Sequence, residues 1–352
     1  MQFSNIDPEN GDALTRAVLD AAAAITGKPA SSASRLTVGG NNVTLMIETA
    51  DGSFVAKHYP RTSGDDRDRF EAEAGALRFL NQAGFTCVPE LIGADADARV
   101  CVMTNCGAPT GRHGEDADID ACIDFARQLH DARKSDAASG LPAAAEATPA
   151  PRDVTAQVGE RRDRLGETAK RDPVLLSFLR DEFDPVFVAT IDQVRGAFAV
   201  TGKPTTAPLA ANLQTLSPSD FGFHNTVRGA GGALTFVDFE YFGWDDPVRL
   251  VSDFVLHPGH DLSDAQKKTF LGACHDIYGA EDRQYRMRLR TLFPLVGLRW
   301  CMILLNEFLP ERMERRRAAG NNDDLDGILA GQLEKARQLL SGIDDNKRLL
   351  TD

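Results

Sequence analysis

From Arg35 onward the chain passes from a sheet-rich stretch to an almost wholly helical one, and that order constrains the fold more than any single residue does. From Arg35 to Tyr59 it reads RLTVGG and then NNVTLMIETADGSFVAKHY, two extended runs rich in β-branched residues. They flank Asp51-Gly52, a pair that accepts the positive φ angles of a tight hairpin turn. DDRDRFEAEAGALRFLNQAG then sets Phe70, Leu77 and Leu80 at helical spacing, behind an acidic start and ahead of Gly84 as a stop. Extended pieces around Glu90 to Ile92 and Val100 to Thr104 complete a small sheet carrying one helix. After TNCGAPTGRHGEDAD the pattern turns almost wholly helical, opening with DIDACIDFARQLHDAR, whose Ile119, Ile123, Ala126 and Leu129 share one side. The order predicts an α+β chain: a sheet-rich lobe, a short connector and a larger helical lobe.

Composition narrows the function classes. The 352 residues suffice for two lobes, and 42% hydrophobic with 26% charged residues is the mix of a globular protein. With 39 basic against 52 acidic residues the formal charge is −13, which gives a phosphate-backbone partner no general attraction, so nucleic acid is not expected. The N-terminal stretch carries acids where an export signal has a basic region, and AVLDAAAAI is too short to cross a bilayer. It reads as a helix opening near Asn10 or Asp12, in a cytoplasmic protein with no membrane partner. Cys87, Cys101, Cys106, Cys122, Cys274 and Cys301 form no C-x-x-C pair and have no histidine at metal-ligand spacing, so reduced, mostly buried thiols are expected. SDAASGLPAAAEATPAPRD reads as an exposed linker or loop, and ALTFVDFEYFGWDDP as a strand and turn.

Phosphoryl transfer from a nucleotide needs a cover over the phosphates, a cation beside them, ligands for a divalent metal and a carboxylate for the attacking hydroxyl. Gly39 and Gly40, followed by Asn41 and Asn42, stand at the turn between the first two predicted strands, where missing side chains let backbone amides approach an anion. A plain hairpin explains the same residues. Lys57 lies late in an apolar strand, and a helix follows whose Glu73 is placed to pair with it and turn the ammonium towards phosphates; Glu71 is the competing partner. In SPSDFGFHN, Asp220 precedes Asn225 by five positions, and eighteen residues after Asp220 comes Asp238 in the hydrophobic run LTFVDFE. A carboxylate at the end of a buried strand is costly unless it is paired or bound to a cation. Hard oxygen ligands from Asn225 and Asp238 suit Mg2+, which leaves Asp220 to orient an acceptor hydroxyl.

These residues resemble the aminoglycoside phosphotransferase and choline kinase family, relatives of the protein kinases, whose signature is a catalytic D-x-x-x-x-N followed by a strand ending in a metal-binding aspartate. Here those positions are Asp220, Asn225 and Asp238. The family's nucleotide lysine and helix glutamate fall on Lys57 and Glu73. VMTNCG, with Met103 and Asn105, resembles the inter-lobe hinge that meets the adenine. FARQLH, ending at His130, resembles the helix after the hinge, and DDPVRLVSDF the segment after the metal aspartate, which makes Asp253 a structural brace of the catalytic loop. The resemblance covers about residues 30 to 310 and implies a bilobal, protein-kinase-like fold. Residues 1–104 are then the nucleotide-binding lobe with an N-terminal helix, 105–110 the hinge, and 111–352 the catalytic and substrate lobe. It departs at Pro218, where the family usually has histidine; Ser217 or Ser219 could supply hydroxyl hydrogen bonds instead.

The expectation is transfer of the terminal phosphate of ATP or GTP to a hydroxyl of a small molecule such as an aminoglycoside, an amino sugar, a sugar or a choline-like alcohol. Glu240, Trp244 and Glu307 are candidate substrate contacts, although core, rim or paired roles explain each as well. His224 reads as a packing or hydrogen-bonding residue rather than a general base, and His257 as a helix-end residue. The alternative from another class is a catalytically weak or inactive nucleotide-binding regulator of the same fold, suggested by Pro218.

Overall fold

The computed structural model describes residues 3–6, 12–36, 42–61, 68–313 and 324–350. The described chain forms two compact units: Met1–Ala145 with Leu216–Trp244, and Glu146–Thr215 with Asp245–Asp352. The expected α+β, bilobal class holds, with an antiparallel sheet and helices in the first unit and mainly helix in the second.

The first unit is built on a six-stranded antiparallel sheet. In chain order its strands are β1 (Phe3–Ile6), β2 (Ser32–Leu36), β3 (Val43–Thr49), β4 (Gly52–His58), β5 (Leu91–Asp95) and β6 (Val100–Thr104), and the spatial order is β1-β2-β3-β4-β6-β5. The Asp51-Gly52 turn joins β3 to β4 as expected, with Gly52 at φ 141°. The four-residue β1 was not anticipated, because FSNI is too short for its alternation to register. Helix α1 (Ala13–Thr26) opens at Asp12, whose carboxylate accepts from Thr15 N at 2.7 Å. Its Val18, Leu19, Ala21 and Ala22 pack on Leu45, Ile47, Ala56, Val100 and Val102, one face of the sheet. Because successive side chains on a strand alternate, covering that face with α1 leaves Thr44 and Met46 of β3 and Val55 and Lys57 of β4 on the other, where they line a cleft.

Helix α2 (Arg69–Gln82) buries Phe70, Leu77 and Leu80 as their spacing predicts, and Gly84 past its end takes φ 82°. Helix α3 (Asp116–Ala132) buries all four of its predicted apolar residues. The remaining strands of this unit are short: β7 (Ala108–Pro109), β9 (Thr226–Arg228) and β10 (Leu234–Phe236) form one sheet, and β8 (Thr215–Ser217) pairs with β11 (Gly243–Asp245).

The stretch expected to be an exposed linker or loop is a loop with many exposed residues, held down at Ala138, Ala144, Thr148 and Ala150, which are buried. Small side chains let its backbone approach closely, and a Cβ on Gly243 would stand 2.4 Å from the Pro142 carbonyl oxygen. Trp244 Nε1 donates to the Ala138 carbonyl at 3.0 Å.

In the second unit α9 (Tyr285–Leu304) packs against α4 (Pro151–Ala169), α6 (Asp184–Val200), α7 (Pro247–Leu256) and α10 (Leu325–Arg348). A single turn-and-a-half helix, α5 (Pro173–Ser177), and a π-helical stretch over Phe178–Phe183 lead into α6, while α8 (Asp264–Gly279) leads into α9. The stretch Tyr285–Phe308 is long and apolar enough to cross a membrane, yet 72% of its most apolar window is buried inside the protein. Asp253, expected to be structural, is 1% exposed; it accepts from Trp300 Nε1 at 2.8 Å and pairs with Arg249 and Arg299. Glu146 joins the same cluster through Arg161 and Arg299; burial opposes its charge, but the two guanidiniums prevail and hold its pKa down at about 2. His257 caps α7, accepts from Gly259 N at 2.8 Å and stands edge-on to Trp300.

Candidate active site

The cleft beside the sheet, about 360 Å³, lies wholly within the first unit. Its apolar lining includes Leu36, Met46, Val55, Met103, Val227 and Val237. Its polar and charged lining includes Lys57, Glu73, Asp220, Asn225, Asp238 and Glu240, residues separated by up to 183 positions in sequence. A mostly apolar cleft with a few convergent polar groups suits a small-molecule ligand that carries both a ring and charge.

Lys57 stands on β4 between β3 and β6, opposite Thr44 and Cys101. It is 8% exposed, with Nζ 3.3 Å from Glu73 Oε2 and a second, closer ion pair to Asp238. Burial works against its charge, but Asp238, Glu73 and Glu240 outweigh that penalty and hold the ammonium pKa above its usual value. Glu73, on α2, is 1% exposed, and burial raises its carboxyl pKa despite the lysine. Glu71, the competing candidate, is exposed.

The loop between β8 and β9 carries Asp220 and Asn225. Ser219 takes φ 67° and its N–H donates to Ser217 Oγ at 3.0 Å, while Asp220 N donates to the Pro218 carbonyl at 2.8 Å. The Asn225 amide nitrogen donates to the Asp220 carbonyl at 2.9 Å, so the other end of that amide is an oxygen available as a ligand. Val237 N donates to the Asn225 carbonyl at 3.0 Å, which ties this loop to the segment bearing Asp238. Aromatic neighbours anchor both aspartates: Phe221 and Phe239 pack on Phe125 of α3, and Phe125 stacks on Phe236 at 4.1 Å. Asp238 itself takes φ 70° and its side chain is 37% exposed. Two of the four non-glycine residues at positive φ among the described residues thus sit at this site, which is where backbone strain is retained when function needs it.

Mg2+ asks for hard oxygen donors with room for water, and the cleft offers the Asp238 carboxylate and the Asn225 amide oxygen together. Partial exposure of Asp238 leaves that room, so the donor set fits the ion.

Of the other expected site residues, Met103 lines the cleft on β6 and is 4% exposed. Asn105 donates to Ser53 Oγ at 2.9 Å and accepts from Gly107 N at 3.1 Å, shaping the turn after β6. Gly107, at φ 123°, passes so close to β9 that a Cβ would meet the Arg228 carbonyl oxygen at 2.2 Å. Gly39 and Gly40 lie outside the described residues. Asn42 lines the cleft and donates to Glu240, whose 5% exposed carboxylate also lies 3.8 Å from Arg69. Trp244 is not among the cleft residues, and Glu307 belongs to the second unit, on the turn Leu305–Phe308.

Sequence reasoning missed three features of the cleft. The apolar wall, including Met46 and Val227, follows from strand alternation once the covered face is known. Cys106 lines the cleft at the turn after β6 and is half-buried. His224 Nε2 lies 3.0 Å from Asp220 Oδ1; both lie in SPSDFGFHN, but no periodicity predicts a contact across an irregular loop.

Comparison with known proteins supports the same architecture. Residues 32–194 match the model of the phosphotransferase enzyme family, a match that ends ahead of Asp220. No curated protein matches the sequence. Among solved structures, the chain is similar to spectinomycin phosphotransferase APH(9)-Ia in complex with ADP and spectinomycin, at TM-score 0.60 and 11% identity over 94% of this chain and 98% of the other. It is similar to the gentamicin complex of APH(2")-IIa, at TM-score 0.55 and 15% identity over 96% and 97%. Choline kinase LicA from Streptococcus pneumoniae follows at TM-score 0.52 and 13% identity over 85% and 89%. The chain therefore has the protein-kinase-like fold of these phosphotransferase and kinase structures, and its residues 32–194 match the phosphotransferase enzyme family.

Proposed function

We propose that the protein transfers the terminal phosphate of ATP or GTP to a hydroxyl of a small molecule. One observation carries this reading: Lys57 with Glu73, Asp220, Asn225 and Asp238 converge in the lining of one cleft. Residues 1–104 then serve as the nucleotide lobe, 105–110 as the hinge beside the base and 111–352 as the catalytic and substrate lobe. Lys57, held by Glu73, orients the phosphates. Asn225 and Asp238 would hold Mg2+, which neutralises phosphate charge when bound. Asp220 accepts the hydrogen bond of the acceptor hydroxyl. The hydroxyl oxygen bonds to the terminal phosphorus, the bond to the bridging oxygen breaks with its electron pair leaving on the nucleoside diphosphate, and the hydroxyl proton passes to Asp220.

Aminoglycosides, amino sugars, sugars and choline-like alcohols all suit these parts, because the catalytic groups do not select the acceptor. The acidic sequence and the buried apolar helix fit a cytoplasmic enzyme acting on a diffusible substrate. The test is a magnesium-dependent phosphorylation screen over hydroxyl compounds, read by product mass, with Asp220→Asn as control. Undiminished transfer by that variant would refute the role given to Asp220. Pro218 favours a second reading, a nucleotide-binding regulator with little transfer; any Asp220-dependent phosphorylated product removes it.

A further inference from the structure

We propose that His224 is a positioning residue that sets the orientation of the Asp220 carboxylate for catalysis. The inference rests on the phosphotransfer reading above and adds a residue to it. The backbone of Asp220 is fixed by the Pro218 carbonyl and by the Asn225 amide, and its neighbour Phe221 is anchored on Phe125. None of these contacts sets the rotation of the carboxylate about its own side-chain bonds. His224 Nε2, 3.0 Å from Oδ1, is a contact that does. Holding one carboxylate oxygen fixes the plane of the group, and with it the direction in which the second oxygen meets a hydroxyl.

The ring is itself held in place. His224 occupies the short 3₁₀ turn Phe223–Asn225, and Phe223 is fully buried. Its ring lies so close to Gly114 that a Cβ there would stand 2.2 Å from it, which pins the turn from below. Both His224 and Asp220 line the cleft, and their side chains keep 25% and 36% exposure, so the pair faces the space that nucleotide and acceptor enter rather than the core. The role needs only an N–H on Nε2, which the neutral ring supplies as well as the charged one.

The test uses the full-length protein and magnesium-ATP, with hydrolysis to ADP as the readout and water as acceptor. Four variants are compared: His224→Ala, His224→Leu, which keeps side-chain volume, and His224→Gln, whose amide nitrogen reaches as far as the imidazole Nε2, together with Asp220→Asn as a second background. Loss of orientation at a reacting group costs up to about a hundredfold, so His224→Ala and His224→Leu should lower kcat roughly ten- to hundredfold while KM for magnesium-ATP stays within about twofold. His224→Gln should recover most of that loss. In the Asp220→Asn background, His224→Ala should cost less than about twofold, because the group it orients is already disabled. Equal losses in both backgrounds, a change confined to KM, or no recovery by a glutamine variant that melts like the wild type would each overturn the proposal. If Asp220→Asn hydrolyses and transfers as fast as the wild type, the phosphotransfer role of Asp220 fails first and the inference falls with it. A loss in Asp220→Asn with additive His224 effects defeats only the inference.

Discussion

Replacing Lys57 by methionine should destabilise the protein in a pH-dependent way, because it leaves the 1% exposed Glu73 carboxylate without its cation. At the observed 3.3 Å separation and an effective dielectric of about 20, the attraction lost is roughly 5 kcal/mol. Part is returned because a buried ammonium no longer needs desolvating, so the expected cost near pH 8 is about 3–5 kcal/mol. Asp238 loses the same partner, but its side chain is 37% exposed and water takes over much of that role. The pH dependence comes from Glu73. Burial already raises its folded pKa above the ordinary value, and removing the lysine raises it further. A group with a raised folded pKa contributes stability that is present below its unfolded pKa and is lost as pH rises through the folded one. The deficit of Lys57→Met should therefore shrink on acidification from pH 8 to pH 5.5, by up to about 1.4 kcal/mol per pH unit. The folded pKa of Lys57 lies above the usual lysine value, so its own contribution is constant across that window. Thermal unfolding of the nucleotide-free protein, followed by circular dichroism at both pH values, reads the difference at about 2–4 °C per kcal/mol for a unit of this size. Adding Glu73→Gln should restore most of the stability, since an apolar or neutral pair replaces a buried ion pair at little cost. A deficit that is independent of pH, that grows on acidification, or that persists in the double variant would refute the argument.

Asp245→Asn should stabilise the protein above neutral pH. Burial pushes the Asp245 carboxyl up to about 7, and Asn retains the oxygen that accepts from Thr148 N and Asp246 N. By the same sign rule the wild type loses stability as pH rises through about 7, so the gain, at most about 4 kcal/mol, should appear in melting curves at pH 8.5 and fade below pH 6. Asp253→Ala should cost about 3–5 kcal/mol in denaturant unfolding, because it leaves Arg249 and Arg299 buried beside an empty carboxylate position. Gly107→Ala should weaken nucleotide binding in a titration and lower the melting temperature, since the φ of 123° and the Arg228 carbonyl both oppose a side chain at the turn after β6.

Much of this molecule was legible in its residues because local rules suffice for parts of it. The β3–β4 hairpin followed from Asp51-Gly52, and α2 and α3 from apolar spacing, while Asp220, Asn225 and Asp238 were singled out by a family resemblance and the fold brings them to one cleft. The residues from 135 to 150 read as an exposed linker or loop, and many of them are exposed, but composition could not show where the loop is held down; close approach of its backbone to Gly243 and a hydrogen bond from Trp244 decided that. Periodicity likewise cannot say which face of a strand is covered; the docking of α1 on Leu45 and Ala56 is what turned Met46, Val55 and Lys57 into the cleft. Pairings across distance were decided the same way. Beyond the Glu73 pairing already legible in the sequence, Lys57 also meets Asp238, Asn42 meets Glu240, and His224 folds back onto Asp220, because side chains far apart in sequence, or close together in an irregular loop, are brought together by packing and not by any local preference.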